Sequence, residues 1–234
     1  MEEIEEAMRL GTPPDRIGYF AFTKKASEEG RDRTMERFGL SSKELPNFRT
    51  LHSLCHRMLG LSRSSVLNGN SLREFNDIMG LRLSGRSDME EGSISMLSKD
   101  DRLSFIEGLS RLRCVPLREQ WHQHYDEDID WFALERFQKG LYQFKQARGL
   151  HDFTDMLDLC VQKQLAPRLD VMFVDEAQDL SPLQWKLVEL LANNSERVYI
   201  AGDDDQAIFR WAGADVDHLV SLSEGNARVL DQSY

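Results

Sequence analysis

Four consecutive apolar residues, Val171, Met172, Phe173 and Val174, run directly into two acids, Asp175 and Glu176. A strand that is apolar on both faces, instead of alternately, suits the interior of a parallel sheet covered by helices on both sides. In such open α/β sheets ligands bind at the carboxyl ends of the strands, which is where this run delivers its two carboxylates. The segment therefore sets both an architecture and a place to look for chemistry.

The flanking sequence agrees with a layered α/β chain, because further strand patterns alternate with helical ones. Residues 2–10 read as a helix closed by Gly11, and Pro13-Pro14 bar its continuation. Ile17 to Phe22 reads as a strand, and Thr23 opens a helix whose Lys24, Lys25, Arg31, Arg33 and Arg37 face water or phosphate. Asn47 to Arg49 is a second short strand leading into a helix over Thr50 to Leu59. Residues 60–150 differ in texture: turns rich in Ser, Gly and Asn (62–71 and 84–95) separate helical stretches around 71–79, 99–112 and 130–148. A helix from Phe153 to about Leu165 stops near Pro167. Beyond the apolar strand, Ser181-Pro182 starts another helix with proline at its first position. Val198 to Ala201 and Val229-Leu230 read as the last strands.

Charge narrows the functional classes. The chain of 234 residues carries a formal net charge of −11, which argues against nucleic acid if it is spread evenly. It is not spread evenly: the balance is 0 over residues 1–59, −1 over 60–150 and −10 over 151–234. That last third holds Asp175, Glu176, Asp179 and the run Asp203-Asp204-Asp205, so metal chemistry accounts for part of the excess and solvated surface charge for the rest. No stretch approaches eighteen uninterrupted apolar residues and the first ten are acidic, so no membrane partner and a cytoplasmic address are expected. Cys55, Cys114 and Cys160 are odd in number and widely spaced, so neither disulfides nor structural zinc are expected.

Four segments carry candidate chemistry. In VMFVDEAQDLSPLQ (171–184), adjacent acids suit nucleotide hydrolysis: one holds Mg²⁺, and the next orients or deprotonates the attacking water. AGDDDQAIFRWAGAD (201–215) follows a strand and places Gln206 near Phe209 and Trp211, two rings that serve either as core or as platforms for bases. GYFAFTKKASEE (18–29) joins a strand to a helix start, which is either an ordinary turn with solvated lysines or a phosphate cradle. FRTLHSLCHRML (48–59) contributes Thr50 and His52, the latter equally readable as a packed histidine.

Taken in order, these segments resemble motif II (Walker B), motif III, motif Ia and motif Ib of the UvrD/Rep-like superfamily 1 DNA helicases. DFTDMLDL (152–159) also resembles the segment that precedes Walker B there, with Asp152 readable as a helix cap. The resemblance implies an incomplete RecA-like parallel sheet flanked by helices, of the P-loop NTPase type, with a mostly helical inserted subdomain. The expected division is 1–60 and 151–234 for the two parts of the RecA-like domain, and 61–150 for the insert. It implies ATP and Mg²⁺ as cofactors and single-stranded DNA with its junction to duplex as partner, with translocation from 3′ to 5′. The implied roles are Asp175 and Glu176 at the metal, Glu176 as general base, and Gln206 at the terminal phosphate. Phe22, Phe209 and Trp211 would meet bases, while Thr23, Lys24, Thr50 and His52 would meet the DNA backbone. Lys24 stands where the family's motif Ia commonly has Asn, which adds charge along the backbone track.

No G-x-x-x-x-G-K-[ST] occurs in the chain, so the phosphate loop of such an enzyme is not supplied by these residues. The expectation is of a helicase fragment that starts just after that loop and stops at the beginning of motif IV, VLDQSY (229–234), without the second motor domain. Such a piece is expected to be poorly stable alone, because a sheet lacking its central strand exposes unpaired edges; a sharp melting transition well above about 50 °C would count against this. Two rival readings remain: a single-strand-binding fragment without ATPase activity, and a metal-dependent nuclease using His122, His124 and Asp126.

Overall fold

The computed structural model of the chain describes residues 2–85, 98–123 and 128–223. The expected strand at Val229-Leu230, the VLDQSY segment, and His124 and Asp126 lie outside the described residues. Packing divides the chain into two compact units, one formed by 1–50, 169–181 and 195–234 and the other by 51–168 and 182–194.

The first unit is a four-stranded, wholly parallel sheet with helices against it. Its strands are β1 (Ile17–Ala21), β2 (Phe48–Arg49), β3 (Leu169–Asp175) and β4 (Ser195–Ile200), in the spatial order β2-β1-β3-β4. This is the incomplete RecA-like α/β arrangement. β3 is central, pairing with β1 from Ile17↔Val171 to Ala21↔Asp175 and with β4 from Leu169↔Ser195 to Val174↔Ile200. Its near-continuous burial explains why its sequence reads as an unbroken apolar run. β4 lies at one edge and buries none of its residues fully, which tolerates its polar start, Ser195-Glu196.

The helix α1 (Glu2–Arg9) buries Ile4 and Ala7 in a cluster with Ile17, Leu45, Phe48 and Val171. The helix α2 (Lys24–Phe38) begins where Thr23 accepts a hydrogen bond from the Ala26 N–H at 3.1 Å, and ends at Gly39, whose φ of 66° is a left-handed cap. Of the basic residues expected to face water or phosphate, Lys24, Arg31, Arg33 and Arg37 each pair with an acid, Glu28, Asp32, Glu29 and Glu5 respectively.

The second unit is helical: α3 (Leu51–Met58), α4 (Gly69–Met79), α5 (Lys99–Leu112), α6 (Leu117–Gln123), α7 (Trp131–Arg148), α8 (Phe153–Gln162) and α9 (Pro182–Ala192). α6 is absent from the sequence expectation, since seven residues with only Leu117 and Gln120 buried carry too short a pattern to register. α8 stops at Gln162, short of the expected Leu165, because Gln164 turns the chain with φ 53° before Pro167 is reached. The core of this unit gathers Phe75, Ile106, Leu134, Phe137, Leu141 and Phe144, whose aromatic members meet edge to face or tilted. The helix α10 (Val216–Ser223), which belongs to the sheet unit, closes the described chain.

Candidate functional site

β3 ends on Asp175, and the backbone turns sharply at Glu176, which takes φ 55° and ψ 43° in the left-handed region. A non-glycine residue held there costs about 1–3 kcal/mol and persists only where surrounding contacts impose it. Those contacts are present: the Ala177 N–H donates to the Ala201 carbonyl at 2.9 Å, and the Ala201 N–H donates to Val174 at 2.8 Å. The segments after β3 and β4 are thus laced together at the sheet's carboxyl end.

A hydrogen-bonded relay runs through this lacing. Gln178 Nε2 donates to Glu176 Oε2 at 2.5 Å, and Gln178 Oε1 accepts the Asp203 N–H at 3.0 Å. Gln206 Nε2 donates to Asp203 Oδ2 at 2.5 Å. Glu176 and Gln206, assigned from separate motifs, are therefore two side chains apart along one connected path. Gln178 is buried, and Gly202 makes room for it: a Cβ at Gly202 would lie 2.9 Å from Gln178 Oε1. Neither Gln178 nor Asp203 stood out as a site residue, because a glutamine inside a conspicuous acidic motif draws no notice until its partner, Asp203, is brought beside it by folding.

Asp175 is held from a different direction. Its Oδ2 accepts the Tyr19 hydroxyl of β1 at 2.5 Å, and its Oδ1 accepts the Glu176 N–H at 3.1 Å. Burial, and then the hydrogen bond to Asp175, push the Tyr19 phenol well above its ordinary value, so it stays a donor. Nearby, Asp179 has one oxygen buried without a hydrogen-bond partner. Burial, reinforced by the Glu176 charge, pushes its carboxyl up to about 6.

The aromatic candidates sit in the same unit. Phe22, immediately after β1, and Phe209 have ring centroids 5.7 Å apart at 34°, and both are half-buried, as is Trp211. They are therefore not members of the buried core. Thr23 spends its hydroxyl on the α2 cap, while the Lys24 side chain is 83% exposed. Thr50 is half-buried at the end of β2. His52 belongs to the helical unit, where its ring meets Phe153 edge-on at 5.6 Å. Burial pushes its imidazole down to about 4, with the Asp152 charge opposing, so the ring is neutral at pH 7. Asp152 caps α8 through the Asp155 N–H, as one of its two readings has it.

Among the described residues no group of three or more His, Cys, Asp and Glu side chains converges on a cation position. A cage made wholly of protein is what calcium or zinc would use. Mg²⁺ instead keeps waters and is held by one or two carboxylates together with substrate phosphates. Asp175 fits that demand, since its two oxygens are oriented by two donors and each retains free acceptor capacity.

Comparison with known proteins bears on what this arrangement serves. The UvrD/REP helicase N-terminal domain family matches residues 2–226. The chain is 26% identical to a putative ATP-dependent DNA helicase, YjcD, of Bacillus subtilis, over 92% of this chain and 29% of that protein. It is 26% identical to DNA helicase II of Escherichia coli, over 88% of this chain and 29% of that protein. It is 25% identical to ATP-dependent DNA helicase Rep of Buchnera aphidicola, over 90% of this chain and 34% of that protein. The chain spans about a third of the length of these relatives. With the family matched over all the described residues, the chain belongs to the UvrD/REP helicase N-terminal domain family.

Proposed function

We propose that this chain is part of an ATP-driven helicase that translocates along single-stranded DNA, from 3′ to 5′. Asp175 holds Mg²⁺ together with the nucleotide's phosphates, with Glu176 close by. Bound Mg²⁺ supplies charge neutralisation at the phosphates. Glu176, exposed at the strand end, accepts the proton of the attacking water. Gln206 senses the terminal phosphate. Phe22, Phe209 and Trp211 stack on bases, and Thr23, Lys24, Thr50 and His52 contact the DNA backbone. Because His52 is neutral, its contribution is a hydrogen bond and not an ion pair.

The observation that carries this reading is the relay Glu176–Gln178–Asp203–Gln206. It ties the proposed base to the proposed phosphate sensor, and three residues beyond Gln206 lies Phe209 in contact with Phe22. A change at the phosphate therefore has a short covalent and hydrogen-bonded route to the rings. The test uses the protein in which this segment accompanies a phosphate loop: Glu176→Gln lowers DNA-stimulated ATP hydrolysis about 10²–10⁴-fold. Turnover close to wild type would remove Glu176 from the role.

A second reading, of single-strand binding without ATPase activity, is favoured for these 234 residues alone, since they include no G-x-x-x-x-G-K-[ST] loop. It expects binding of an oligothymidine that weakens with salt, and that loses about 1–3 kcal/mol in Trp211→Ala. Fluorescence anisotropy with and without ATP discriminates the two, because binding that responds to ATP contradicts the second.

A further inference from the structure

Asp175 owes its position to a residue that the proposed hydrolysis does not use. Tyr19 is 156 residues away along the chain, yet its hydroxyl lies 2.5 Å from Asp175 Oδ2. The register explains how. Tyr19 pairs with Phe173, and since side chains alternate along a strand, Asp175, two residues further on, projects from the same face.

Tyr19 is also held firmly. It is one of four aromatic residues that are register partners across the whole sheet, Phe48, Tyr19, Phe173 and Tyr199, one from each strand. Tyr19 and Phe48 stack with centroids 5.7 Å apart at 22°, and Phe173 and Tyr199 stack at 5.0 Å and 10°. Above this row α2 presents Gly30, and a Cβ there would lie only 2.5 Å from Tyr19 Cε1. The large ring and the missing side chain are complementary, so the hydroxyl has little freedom to be elsewhere.

A carboxylate offers about four lone-pair sites. At Asp175 the Tyr19 hydroxyl takes one on Oδ2 and the Glu176 N–H takes one on Oδ1, which orients both oxygens and leaves capacity on each for a cation or its waters. We propose that Tyr19 is a positioning residue for the metal-holding carboxylate, with the aromatic row and Gly30 as the mount that aims its hydroxyl at Asp175. This rests on the reading of Asp175 as a metal ligand. Hydrogen-bond partners of ligating carboxylates typically change metal affinity by about 10–100-fold when removed.

The experiment measures Mn²⁺ binding in the presence of ADP, by electron paramagnetic resonance and with thermal melting alongside, to the protein in which this segment accompanies a phosphate loop, for wild type, Tyr19→Phe, Gly30→Ala and Asp175→Asn. Tyr19→Phe keeps the ring and removes only the hydroxyl, while Gly30→Ala keeps the hydroxyl and displaces the ring. Both are expected to weaken Mn²⁺ binding, Tyr19→Phe by about tenfold at a melting temperature close to wild type and Gly30→Ala at a lowered one, and Asp175→Asn is expected to abolish it. If Asp175→Asn abolishes binding while Tyr19→Phe and Gly30→Ala bind as wild type does, the positioning role is wrong and the metal reading stands. If the wild type shows no Mn²⁺ binding that depends on Asp175, the metal reading fails and the role of Tyr19 falls with it. Should Tyr19→Phe not fold, Gly30→Ala alone decides: unchanged affinity overturns the proposal and weakened affinity supports it.

Discussion

The chain gathers acidic side chains in two places and treats them in opposite ways. In the helical unit, Asp152 accepts from Lys145 at 2.6 Å and from Arg111 at 2.7 Å, and Asp155 accepts from the same two residues at 2.8 and 3.0 Å. Glu107, which is buried, completes the knot by pairing with Arg111 at 2.9 Å. Burial by itself would raise the Asp152 carboxyl, but Arg111 and Lys145 reverse this and hold it well below the usual carboxylate range. At the end of β3, by contrast, none of Asp175, Glu176, Asp179, Asp203, Asp204 and Asp205 has a cation as ion-pair partner among the described residues. A tyrosine hydroxyl, two glutamine amides and backbone N–H groups hold the carboxylates of three of them, Asp175, Glu176 and Asp203. The knot consumes its charge internally, whereas the strand end keeps charge available. Acids already neutralised by their own chain serve the fold, and acids held in place but not neutralised are the ones left to meet a ligand.

This contrast can be broken by substitution. The largest effect on stability is expected from Lys145→Ala, which removes a buried ammonium, leaves two half-buried carboxylates to a single arginine and costs about 3 kcal/mol in urea unfolding. A loss below about 1 kcal/mol would show that the knot is a surface pairing in disguise. Next, Asp152→Asn is expected to cost about 2 kcal/mol, because it removes ion-pair partners from Arg111 and Lys145 as well as a charged cap of α8. Asp175→Asn is expected to cost less than about 1 kcal/mol, since its hydrogen bonds are those of a site and not of a buried ion pair. Equal losses at the two positions would erase the distinction. Gln178→Ala should cost about 1–2 kcal/mol by emptying the buried Gln178 position and removing the acceptor of the Asp203 N–H, and it should uncouple Glu176 from Gln206. In the hydrolysing protein that uncoupling appears as reduced stimulation of turnover by DNA, with nucleotide binding retained.

The smallest effect is a pH dependence of opposite sign in the two places. The raised Asp179 carboxyl binds its proton more tightly folded than unfolded, so its contribution is fully present below about pH 4 and is lost as pH rises through about 6. The depressed Asp152 carboxyl behaves conversely: its contribution is present above about pH 4 and is lost only on further acidification. Between pH 7 and 5 the stability of the wild type relative to Asp179→Asn should therefore rise, by under about 1 kcal/mol after allowance for solvent screening, while the depressed His52 imidazole lowers the stability of both chains alike. The Asp152 contribution should not change over that interval. A wild-type chain that loses stability relative to Asp179→Asn over the same interval would contradict the assignment.

Local patterns foretold much of the fold. The apolar run at Val171–Val174 appeared as the central strand and stretched by two residues at one end and one at the other. Thr23 and Asp152 emerged as caps, and Pro182 began its helix. β4 starts three residues earlier than its apolar pattern, because an edge strand is held by hydrogen bonds to one neighbour and does not need apolar residues on both faces. Of the site, Asp175, Glu176 and Gln206 could be named from spacing and resemblance; folding ties Glu176 to Gln206 through the relay and holds Asp175 separately. Tyr19, Gln178 and Asp203 could not. Each acts through a partner 25 or more residues away, or through one whose own partner is, and no window of sequence contains both ends of such a contact.

The order of residues thus dictates where strands and helices form, where acids meet a strand end and where turns fall, because periodicity, capping and backbone preference act over a few neighbours. Which acids are neutralised and which are kept open is settled by folding. Asp152 and Asp175 are both aspartates beside an acidic motif, but one is brought against Arg111 and Lys145 and the other against Tyr19. Electrostatic energy depends on distance in space, and only the packed chain sets that distance.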